Sequence, residues 1–394
     1  MRSLNNKGVL LGIFGVVLLC FSNCKENKQT LKQNNTVIPE ATFNSNLLDS
    51  SFDTIIEGKA VKLCWLKTPN LKLAITNYGG RLVGLWTRDK SGQFTDVVIG
   101  RGSTRAYIEG PESYFGATIG RVGNRIAKGK FTINEKEYTI IPNNNENALH
   151  GGEHGFQDKV WNAQQPNGHT LILSYTSPDM EEGFPGTLMA KVTYTLTENN
   201  SLLMQYEATT NKPTIVNLTN HAYFNLNGEG SGSILNHQLQ IHAEKFTPVD
   251  THLIPTGELR NIADTPFDFS KPHAIGDRIK MDNEQLTFGG GYDHNFVVNS
   301  KKLNEMKHAA RVVGDKSGIV MDVFTKEPGI QFYSGNFMNS ENRLKSGAKD
   351  DFRSAFCLET QHFPDAPNQL NFPTILLNPF ETYHTVSEYA FSIL

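Results

Sequence analysis

The sequence has few cysteines, no excess of basic residues and few stretches with the apolar spacing of a helix. Among 394 residues there are 4 cysteines, and only Cys64 and Cys357 lie beyond the first 24 positions. Two cysteines so far apart define neither a disulfide framework nor a zinc spacing, so we expect two buried thiols. Lys and Arg total 37 against 40 for Asp and Glu, a balance that provides no basic surface for phosphates. We therefore expect no nucleic-acid partner.

The N-terminus has the form of an export signal. Basic residues precede an uncharged run from Val9 to Phe21. This run is too short to span a bilayer core of about 30 Å as a mature helix, but it fits the apolar region of a secretory signal. Cys24, just after it, resembles the cysteine of the bacterial lipoprotein cleavage motif. We predict a lipoprotein-type signal over residues 1–24 with Cys24 lipidated; an ordinary cleaved signal with an incidental cysteine is the alternative.

Either form of the signal places the protein in the cell envelope of a bacterium, on the periplasmic side or at the cell surface. A lipid anchor would be the only membrane attachment. The next residues, up to about position 46, are rich in Asn, Lys, Gln and Thr with few large apolar side chains. Such a segment buries too little surface to offset the entropy of ordering. We predict a flexible tether over residues 25–50 and a single folded domain over 51–394.

Strand signals dominate the predicted domain. Apolar and polar residues alternate over 188–196 and again over 202–208, on either side of a polar turn at 198–201, which predicts a β-hairpin. Gly (34) and Pro (17) recur at short intervals, whereas amphipathic helical windows are scarce, and residues 274–281 form at most a short helical turn. The pattern predicts an all-β fold, a large antiparallel β-sandwich.

Candidate functional residues lie in five Gly- and Asn-rich regions between the predicted strands, where loops on a β scaffold present side chains at a cleft. The regions are 120–126, 149–154, 217–226, 289–296 together with 327–333, and 356–368. In the first, Arg121, Asn124 and Arg125 can donate to neighbouring hydroxyls; a solvated surface turn is the alternative. In the fourth, Asp293 and Gln331 stand among aromatic residues, a mixture common in carbohydrate sites. Turn chemistry explains the glycines of that region equally well.

Two residues are suited to proton transfer. His221 is flanked by amides and aromatic residues, and a histidine has an ordinary pKa near neutrality. A hydrogen-bonded core histidine is the alternative interpretation. Glu359 follows an apolar, strand-like run, where partial burial raises the pKa of a carboxyl and makes it a stronger base.

The histidine spacing raises the question of a metal. His150 and His154 are four apart, as in a helical zinc site, but Gly151 and Gly152 between them argue against a helix. The sequence has no Asp-rich loop of EF-hand spacing. We predict that no metal takes part in the chemistry and leave a bound calcium ion open.

In this order, the five regions resemble the signatures of the aldose 1-epimerase (galactose mutarotase) family, from about residue 51 to the C-terminus. The resemblance implies a catalytic domain over 51–394 with the family's many-stranded β-sandwich, the galactose mutarotase-like supersandwich. It also implies that Glu359 is the catalytic base, His221 the catalytic acid and His150 a second active-site histidine near the ring oxygen. The residues that match positions holding the sugar's hydroxyls are Asn124, Arg125, Asp293 and Gln331.

The activity implied is interconversion of the α and β anomers of free aldohexoses such as D-glucose and D-galactose, with no cofactor required. Activity should rise as Glu359 ionises and fall as His221 loses its proton. We expect a monomer whose partner is the small sugar. Three alternatives remain open: a hexose-phosphate epimerase, a glycoside hydrolase that uses Glu359 with Asp293, and a non-catalytic sugar-binding lipoprotein. The preferred aldose also stays open.

Overall fold

The computed structural model describes residue 43 and residues 45–111, 114–299 and 305–394. The predicted signal, Cys24 and most of the predicted tether lie outside the described residues. Those that are described belong to one compact unit, Ala41–Leu394. Within that part of the chain, no helix has both the length and the apolar character needed to cross a membrane.

Strands form most of the regular structure. The first ten are β1 (Thr54–Ile56), β2 (Lys59–Val61), β3 (Leu63–Lys67), β4 (Leu71–Thr76), β5 (Arg81–Arg88), β6 (Phe94–Asp96), β7 (Thr118–Ile119), β8 (Arg125–Ile126), β9 (Lys130–Ile133) and β10 (Lys136–Thr139). The next ten are β11 (Ala148–Leu149), β12 (Asn162–Asn167), β13 (Thr170–Ser177), β14 (Leu188–Leu196), β15 (Ser201–Thr210), β16 (Thr214–Ile215), β17 (Thr219–Asn220), β18 (Tyr223–Phe224), β19 (Gln238–Ile241) and β20 (Ala243–Phe246). The rest are β21 (Arg260–Asn261), β22 (His273–Ala274), β23 (Asp293–Val298), β24 (Lys307–Val313), β25 (Ile319–Thr325), β26 (Gly329–Tyr333), β27 (Phe356–Gln361), β28 (Leu376–Leu377) and β29 (Tyr383–Ile393).

Helices are short. The α-helices of the described chain are α1 (Thr104–Glu109) and α2 (Glu284–Gly289), and the 3₁₀ turns are Asp49–Ser51, Ala127–Gly129, Phe156–Asp158, Glu181–Gly183 and Ala366–Asn368. Each α-helix begins at a side-chain cap: Ser103 accepts from the Ala106 N–H, and Asn283 accepts from the Gln285 N–H. The segment 274–281 ends β22 and then continues in turns rather than helix.

Two large antiparallel sheets dominate. The nine-stranded sheet has the order β12-β13-β14-β15-β29-β25-β24-β19-β22, and the six-stranded sheet has the order β18-β27-β26-β23-β20-β21. A four-stranded sheet, β3-β4-β5-β6, and five strand pairs complete the fold. The predicted hairpin is confirmed: β14 pairs antiparallel with β15, with Leu196 opposite Leu202. The predicted all-β class is confirmed as well.

The main apolar core joins the two large sheets. Val192 and Met321 of the nine-stranded sheet belong to the same buried cluster as Ile330, Phe332 and Leu358 of the six-stranded sheet. Fully burying one such side chain stabilises the fold by about 1.5–3 kcal/mol. Because side chains alternate along a strand, the other face of the six-stranded sheet is available for polar residues.

The end of the predicted tether differs from the expectation. The ring of Phe43 contacts those of Trp65, Trp86 and Phe94 at centroid distances of 5.8, 5.4 and 5.6 Å, and Leu47 is 8% exposed. These residues therefore pack on the four-stranded sheet. Composition did not reveal this packing, because the two apolar side chains stand alone in a polar segment and their partners lie on strands farther along the chain.

The two cysteines of the domain are buried thiols, as predicted. Cys64 lies on β3 within the main core, and Cys357 lies on β27 and is fully buried. Burial raises the pKa of the Cys64 thiol.

Candidate active site

A cavity of about 480 Å³ lies over the outward face of the six-stranded sheet. Most of the residues that the sequence proposed for the site line this cavity: Asn124, Arg125, His150, His221, Asp293 and Glu359. Gln331 is buried next to it and donates Nε2–H to Asp293 Oδ1 at 2.7 Å. The fold thus brings together side chains that are more than two hundred positions apart in the chain.

Glu359 reaches the cavity because of the alternation along β27. Leu358 points into the main core, whereas Glu359 points outward and lies opposite Gln331 of β26. The Glu359 side chain is almost fully buried, and its Oε2 has no hydrogen-bond partner among the described residues. A buried carboxylate oxygen without a protein partner is costly to ionise and is available to a ligand.

His221 is held by its backbone and by aromatic rings. Its N–H donates to the Ala117 carbonyl at 2.9 Å, and its carbonyl accepts from the Gly116 N–H at 3.0 Å. The imidazole stacks on Tyr223 at a centroid distance of 4.9 Å and faces Tyr114 at 5.8 Å. These contacts leave the ring little freedom to rotate.

The two ring nitrogens of His221 have different neighbours. Nε2 lies 3.7 Å from Glu359 Oε1. Nδ1 lies 3.5 Å from Cys357 Sγ, two residues earlier on β27. One strand therefore supplies both the carboxylate and the thiol that flank this imidazole.

His150 follows β11 and enters a tight turn. Its Nδ1 accepts a hydrogen bond from the Asn124 backbone N–H at 3.2 Å, and its own N–H donates to the Asn124 carbonyl at 3.0 Å. His150 and Asn124 both have left-handed backbones, with φ of 52° and 60°. Gly151 and Gly152 continue the turn at φ of 92° and 101°, conformations that other residues rarely adopt.

Arg125 and Asp293 form a polar wall of the cavity. Arg125 Nη1 lies 3.8 Å from Asp293 Oδ2, and its Nε donates to Asn144 Oδ1 at 3.2 Å. With the bond from Gln331, Asp293 is held on both oxygens. The wall thus offers a forked donor beside a carboxylate acceptor, the combination that can hold neighbouring hydroxyls.

Arg121 does not join this wall, so of the two arginines considered as donors to hydroxyls only Arg125 lines the cavity. Its guanidinium is buried and donates to Ser177 Oγ at 2.9 Å and to the carbonyls of Pro178 and Pro185 at 2.8 and 3.0 Å. Burial lowers the pKa of Arg121 to about 10. Arg121 therefore ties loops together, a role that its spacing from Arg125 could not reveal.

Burial shifts the proton affinities of the site in opposite directions. It raises the pKa of Glu359 well above its ordinary value, with a further increase from Asp293 and a smaller opposing effect of Arg125. It lowers the pKa of His221 to about 4 and that of His150 well below its ordinary value. The pKa of Asp293 is also raised by burial, which Arg125 and Gln331 oppose.

The site also contains a trio that has the composition of a metal centre. One potential ligand atom from each of His150, His221 and Glu359 lies within 4.8 Å of the others. The pair considered from the sequence does not come together: His154 is exposed and lies 3.6 Å from Asp158, whereas His150 is buried. The bond from Asn124 to His150 Nδ1 disfavours ligation by the trio, because it leaves the neutral ring with its proton on Nε2.

Several residues of the cavity were not singled out from the sequence. Tyr114, Asn144 and Phe337 all line it. Phe337 is 59% exposed at the surface and stacks on Tyr333 at 5.9 Å. They lie in loops with no distinctive pattern, so only the tertiary structure places them beside the catalytic candidates.

A family model described as aldose 1-epimerase matches residues 62–390. The chain belongs to the aldose 1-epimerase family. It is accordingly an isomerase, and the family's fold agrees with the large antiparallel sheets described above.

Relatives within the family match most of their own length. The galactose mutarotase of Sus scrofa is 43% identical over 329 residues, which cover 83% of this chain and 93% of that protein. The aldose 1-epimerase of Escherichia coli (strain K12) is 34% identical over 338 residues, covering 85% and 96%. The crystal structure of an aldose epimerase homologue from C. elegans superposes with a TM-score of 0.78 at 30% identity, covering 85% of this chain and all of that one.

Proposed function

We propose that the protein is a mutarotase that interconverts the α and β anomers of free aldohexoses such as D-glucose and D-galactose. The observation that carries the proposal is the buried pair of Glu359 and His221, 3.7 Å apart in a cavity of about 480 Å³. A cavity of this volume suits a small molecule. The similarity to proteins named galactose mutarotase supports the same activity.

In the proposed mechanism, Glu359 accepts the proton of the C1 hydroxyl while the electrons of that O–H bond form the C1 carbonyl. The bond from C1 to the ring oxygen breaks, and its electron pair takes a proton from His221. Rotation about the C1–C2 bond presents the other face of the aldehyde, and the reverse steps close the ring. General acid and base steps contribute about 10²–10⁴-fold each. No atom or electron is gained or lost, so the chemistry needs no cofactor.

The polar wall supplies the positioning. Arg125 offers its forked donors, Asp293 offers a carboxylate, and Asn124 lies next to them in the same cavity. Gln331 holds Asp293 in place from behind. Positioning by these residues turns the two proton transfers into steps within a single complex.

A free sugar fits this cavity better than a sugar phosphate. Among the described lining residues, Arg125 is the only arginine or lysine, and it already faces Asp293. A phosphate dianion would meet the carboxyl groups of Asp293 and Glu359 without a second fixed cation. The hexose-phosphate alternative therefore has no support in the arrangement of charges.

Polarimetry of freshly dissolved α-D-glucose and α-D-galactose tests the proposal. We expect the protein to accelerate relaxation of the optical rotation for at least one of the two sugars. An aryl glycoside and a hexose 6-phosphate serve as parallel substrates for the glycoside hydrolase and phosphate alternatives. Cleavage of the glycoside, or acceleration restricted to the phosphate, would overturn the proposal; sugar binding without acceleration would favour the binding-protein alternative.

We further propose that the chain is a lipoprotein of the cell envelope, acylated at Cys24 after removal of residues 1–23, and that its domain is a monomer. The support is the N-terminal apolar run followed by Cys24 and a polar segment. Incorporation of a labelled fatty acid tests the anchor, with Cys24→Ala as the control that should lose the label. Sedimentation of that variant tests the monomer.

Calcium has no part in the mechanism, so a chelator should leave the rate unchanged.

A further inference from the structure

A row of buried polar side chains lies beside the cavity, on the same outward face of the six-stranded sheet. Asn295 of β23 is opposite Gln331 of β26, and Gln331 is opposite Glu359 of β27. Gln361 follows Glu359 by two residues on β27, so its side chain lies on the same face. Each of the four is no more than 2% exposed. Opposite side chains have Cβ atoms about 4.5–5.5 Å apart, so these four residues form one continuous polar row.

The atoms of this polar row have too few protein partners. Both amide atoms of Asn295, both of Gln361, Gln331 Oε1 and Glu359 Oε2 are buried without a hydrogen-bond partner among the described residues. Gln331 Nε2 donates instead to Asp293. Buried polar groups in folded proteins are nearly always paired with protein or with ordered water. A buried water makes about three hydrogen bonds, so a few waters among these neighbouring atoms would pair all of them.

Two glycines keep other side chains out of the space around the amides. Gly329 is paired with Gln361, and a Cβ at Gly329 would lie 2.2 Å from Asn295 Oδ1. The Asn295 amide therefore lies over Gly329, next to Gln361. On the other side, a Cβ at Gly123 would lie 3.5 Å from Gln361 Oε1. Phe363 Cδ1 lies 3.0 Å from the same Cβ position at Gly329 and covers the row with apolar surface.

The two carboxyl oxygens of Glu359 have different surroundings. Oε1 lies 3.7 Å from His221 Nε2, whereas Oε2 is buried without a partner among the described residues. Burial and Asp293 oppose ionisation of this carboxyl, and Arg125 favours it less strongly. Donors at Oε2 would stabilise the charged form. The charged and titratable groups around Glu359 are His150, His221, Asp293, Arg125 and Tyr389.

We propose that Asn295 and Gln361 hold a buried water cluster that donates hydrogen bonds to Glu359 Oε2 and stabilises the ionised form in which Glu359 acts as base. Each amide has both a donor and an acceptor, so it can orient a water with one O–H toward the carboxylate. Asn295 and Gln361 are positioning residues, because neither is among the described residues that line the cavity. The proposal rests on the proposed mutarotation and deepens it by adding the solvation that the base requires.

A crystal structure of the sugar-free protein, at a resolution that shows ordered water, tests the cluster directly. We expect at least one water within about 3.0 Å of Glu359 Oε2, bonded in turn to Asn295 or Gln361. Direct bonds from the two amides to each other or to Glu359, with no water at Oε2, would overturn the proposal. This readout needs no turnover.

Infrared spectroscopy tests the bond to Glu359 in solution. The C=O stretch of its protonated carboxyl is assigned by its loss in Glu359→Gln, and Gln361→Met and Asn295→Leu remove the amides at similar volume. At pH 7 the raised pKa keeps Glu359 protonated in the sugar-free protein. We expect the band to move to higher frequency in both variants, because a carboxyl that loses a hydrogen-bond partner has a stiffer C=O bond. An unchanged band in both would contradict the cluster.

Kinetics test the effect on the base. Gln361→Met should raise the pKa of Glu359 by about one unit, which makes the ionised form about tenfold rarer and lowers kcat about tenfold. The alkaline limb of the pH profile should move up with it, while KM changes by less than about threefold. Gln361→Asn keeps an amide and leaves room for a further water, so it should recover most of the rate. An unmoved alkaline limb in Gln361→Met would refute the role in solvation.

Thr214→Val is the matched control. Thr214 Oγ1 is also buried without a partner among the described residues, but it lies on β16, outside the polar row. Its replacement should leave the infrared band and the pH profile as in the wild type. Thermal unfolding checks that the variants are folded, and the wild-type crystal structure decides the matter if one is not. If the wild type shows no mutarotation, the proposed function fails, while the crystallographic and infrared results still decide whether the cluster exists.

Discussion

His221 Nε2 lies 3.7 Å from Glu359 Oε1, and burial reverses the usual order of their pKa values. It raises the pKa of Glu359 and lowers that of His221 to about 4. The carboxyl holds a proton more firmly than usual and the imidazole less firmly. At a pH between these two pKa values the pair holds one proton, which lies on Glu359 while no sugar is bound; the mechanism uses the other arrangement of the same proton, with Glu359 ionised and His221 protonated. Because the reaction moves one proton onto and one proton off this pair, a single shared proton is the state that supports turnover.

Replacing Glu359 with Gln removes the base and keeps the size and shape of the side chain. We expect kcat to fall by about 10²–10⁴-fold, with sugar binding retained because the amide fills the same space. Polarimetry measures the rate and calorimetry measures the affinity. Retention of more than a tenth of the activity would contradict the assignment of Glu359 as base.

The pH profile should be a bell whose limbs have the opposite assignment from that expected from the sequence. His221 has its pKa lowered to about 4, so activity falls on the acid side when His221 gains a proton in addition to the one on Glu359. The pKa of Glu359 is raised, so activity falls on the alkaline side when this last proton is lost. Measurement of kcat/KM from pH 3.5 to 10 tests this. An alkaline limb near 6.5, the ordinary histidine value, would instead restore the first assignment.

Truncation of Arg125 should act mainly on binding. Arg125→Ala removes a forked donor and the cation beside Asp293, contacts that we expect to be similar in the ground and transition states. KM should rise at least tenfold while kcat changes less than threefold. Initial rates over a range of galactose concentrations separate the two parameters, and a fall in kcat alone would place Arg125 in the chemical step.

Gly151 should not tolerate a side chain. At φ of 92°, a Cβ there would lie 2.0 Å from the Gly120 carbonyl oxygen, so Gly151→Ala must shift the turn that carries His150. We expect a lower unfolding temperature and a loss of activity. The matched control is Gly168→Ala, where a Cβ would have no atom within 4 Å. Equal behaviour of the two variants would contradict this account.

Lys345 should be essential for stability rather than activity. Its ammonium is buried with Glu229 and lies 3.3 Å from Asp96, whose pKa is raised to about 7 by burial, against the effect of Lys345. Lys345→Met leaves two buried carboxyl groups without a cation, which costs about 3–5 kcal/mol of unfolding free energy. Removing the cation raises the folded-state pKa of Asp96 still further, so the deficit should be larger at pH 8 than at pH 5.

Denaturant unfolding at the two pH values measures this deficit. The control is Lys130→Met, which removes an exposed pair with Glu137 and should change the midpoint little. An unfolding midpoint of Lys345→Met equal to that of the wild type would show that the buried cluster contributes nothing.

The local sequence determined the class of the fold and much of the site. Alternating residues in β14 and β15 specified their hairpin, because a period of two buries one face of a strand and exposes the other. The motifs around Glu359, His221 and His150 identified the candidates, and all three line one cavity. A motif whose residues are neighbours in the chain can be recognised from the sequence alone.

Only the tertiary structure decided what each side chain faces. Arg121 and Arg125 look equivalent in sequence, yet one is buried among carbonyls and the other lines the cavity. Phe43 lay in a polar segment, yet it packs on three distant aromatic rings. The order of the Glu359 and His221 pKa values likewise follows from burial, which depends on contacts between residues far apart in the chain and is set only when the sheets close over them.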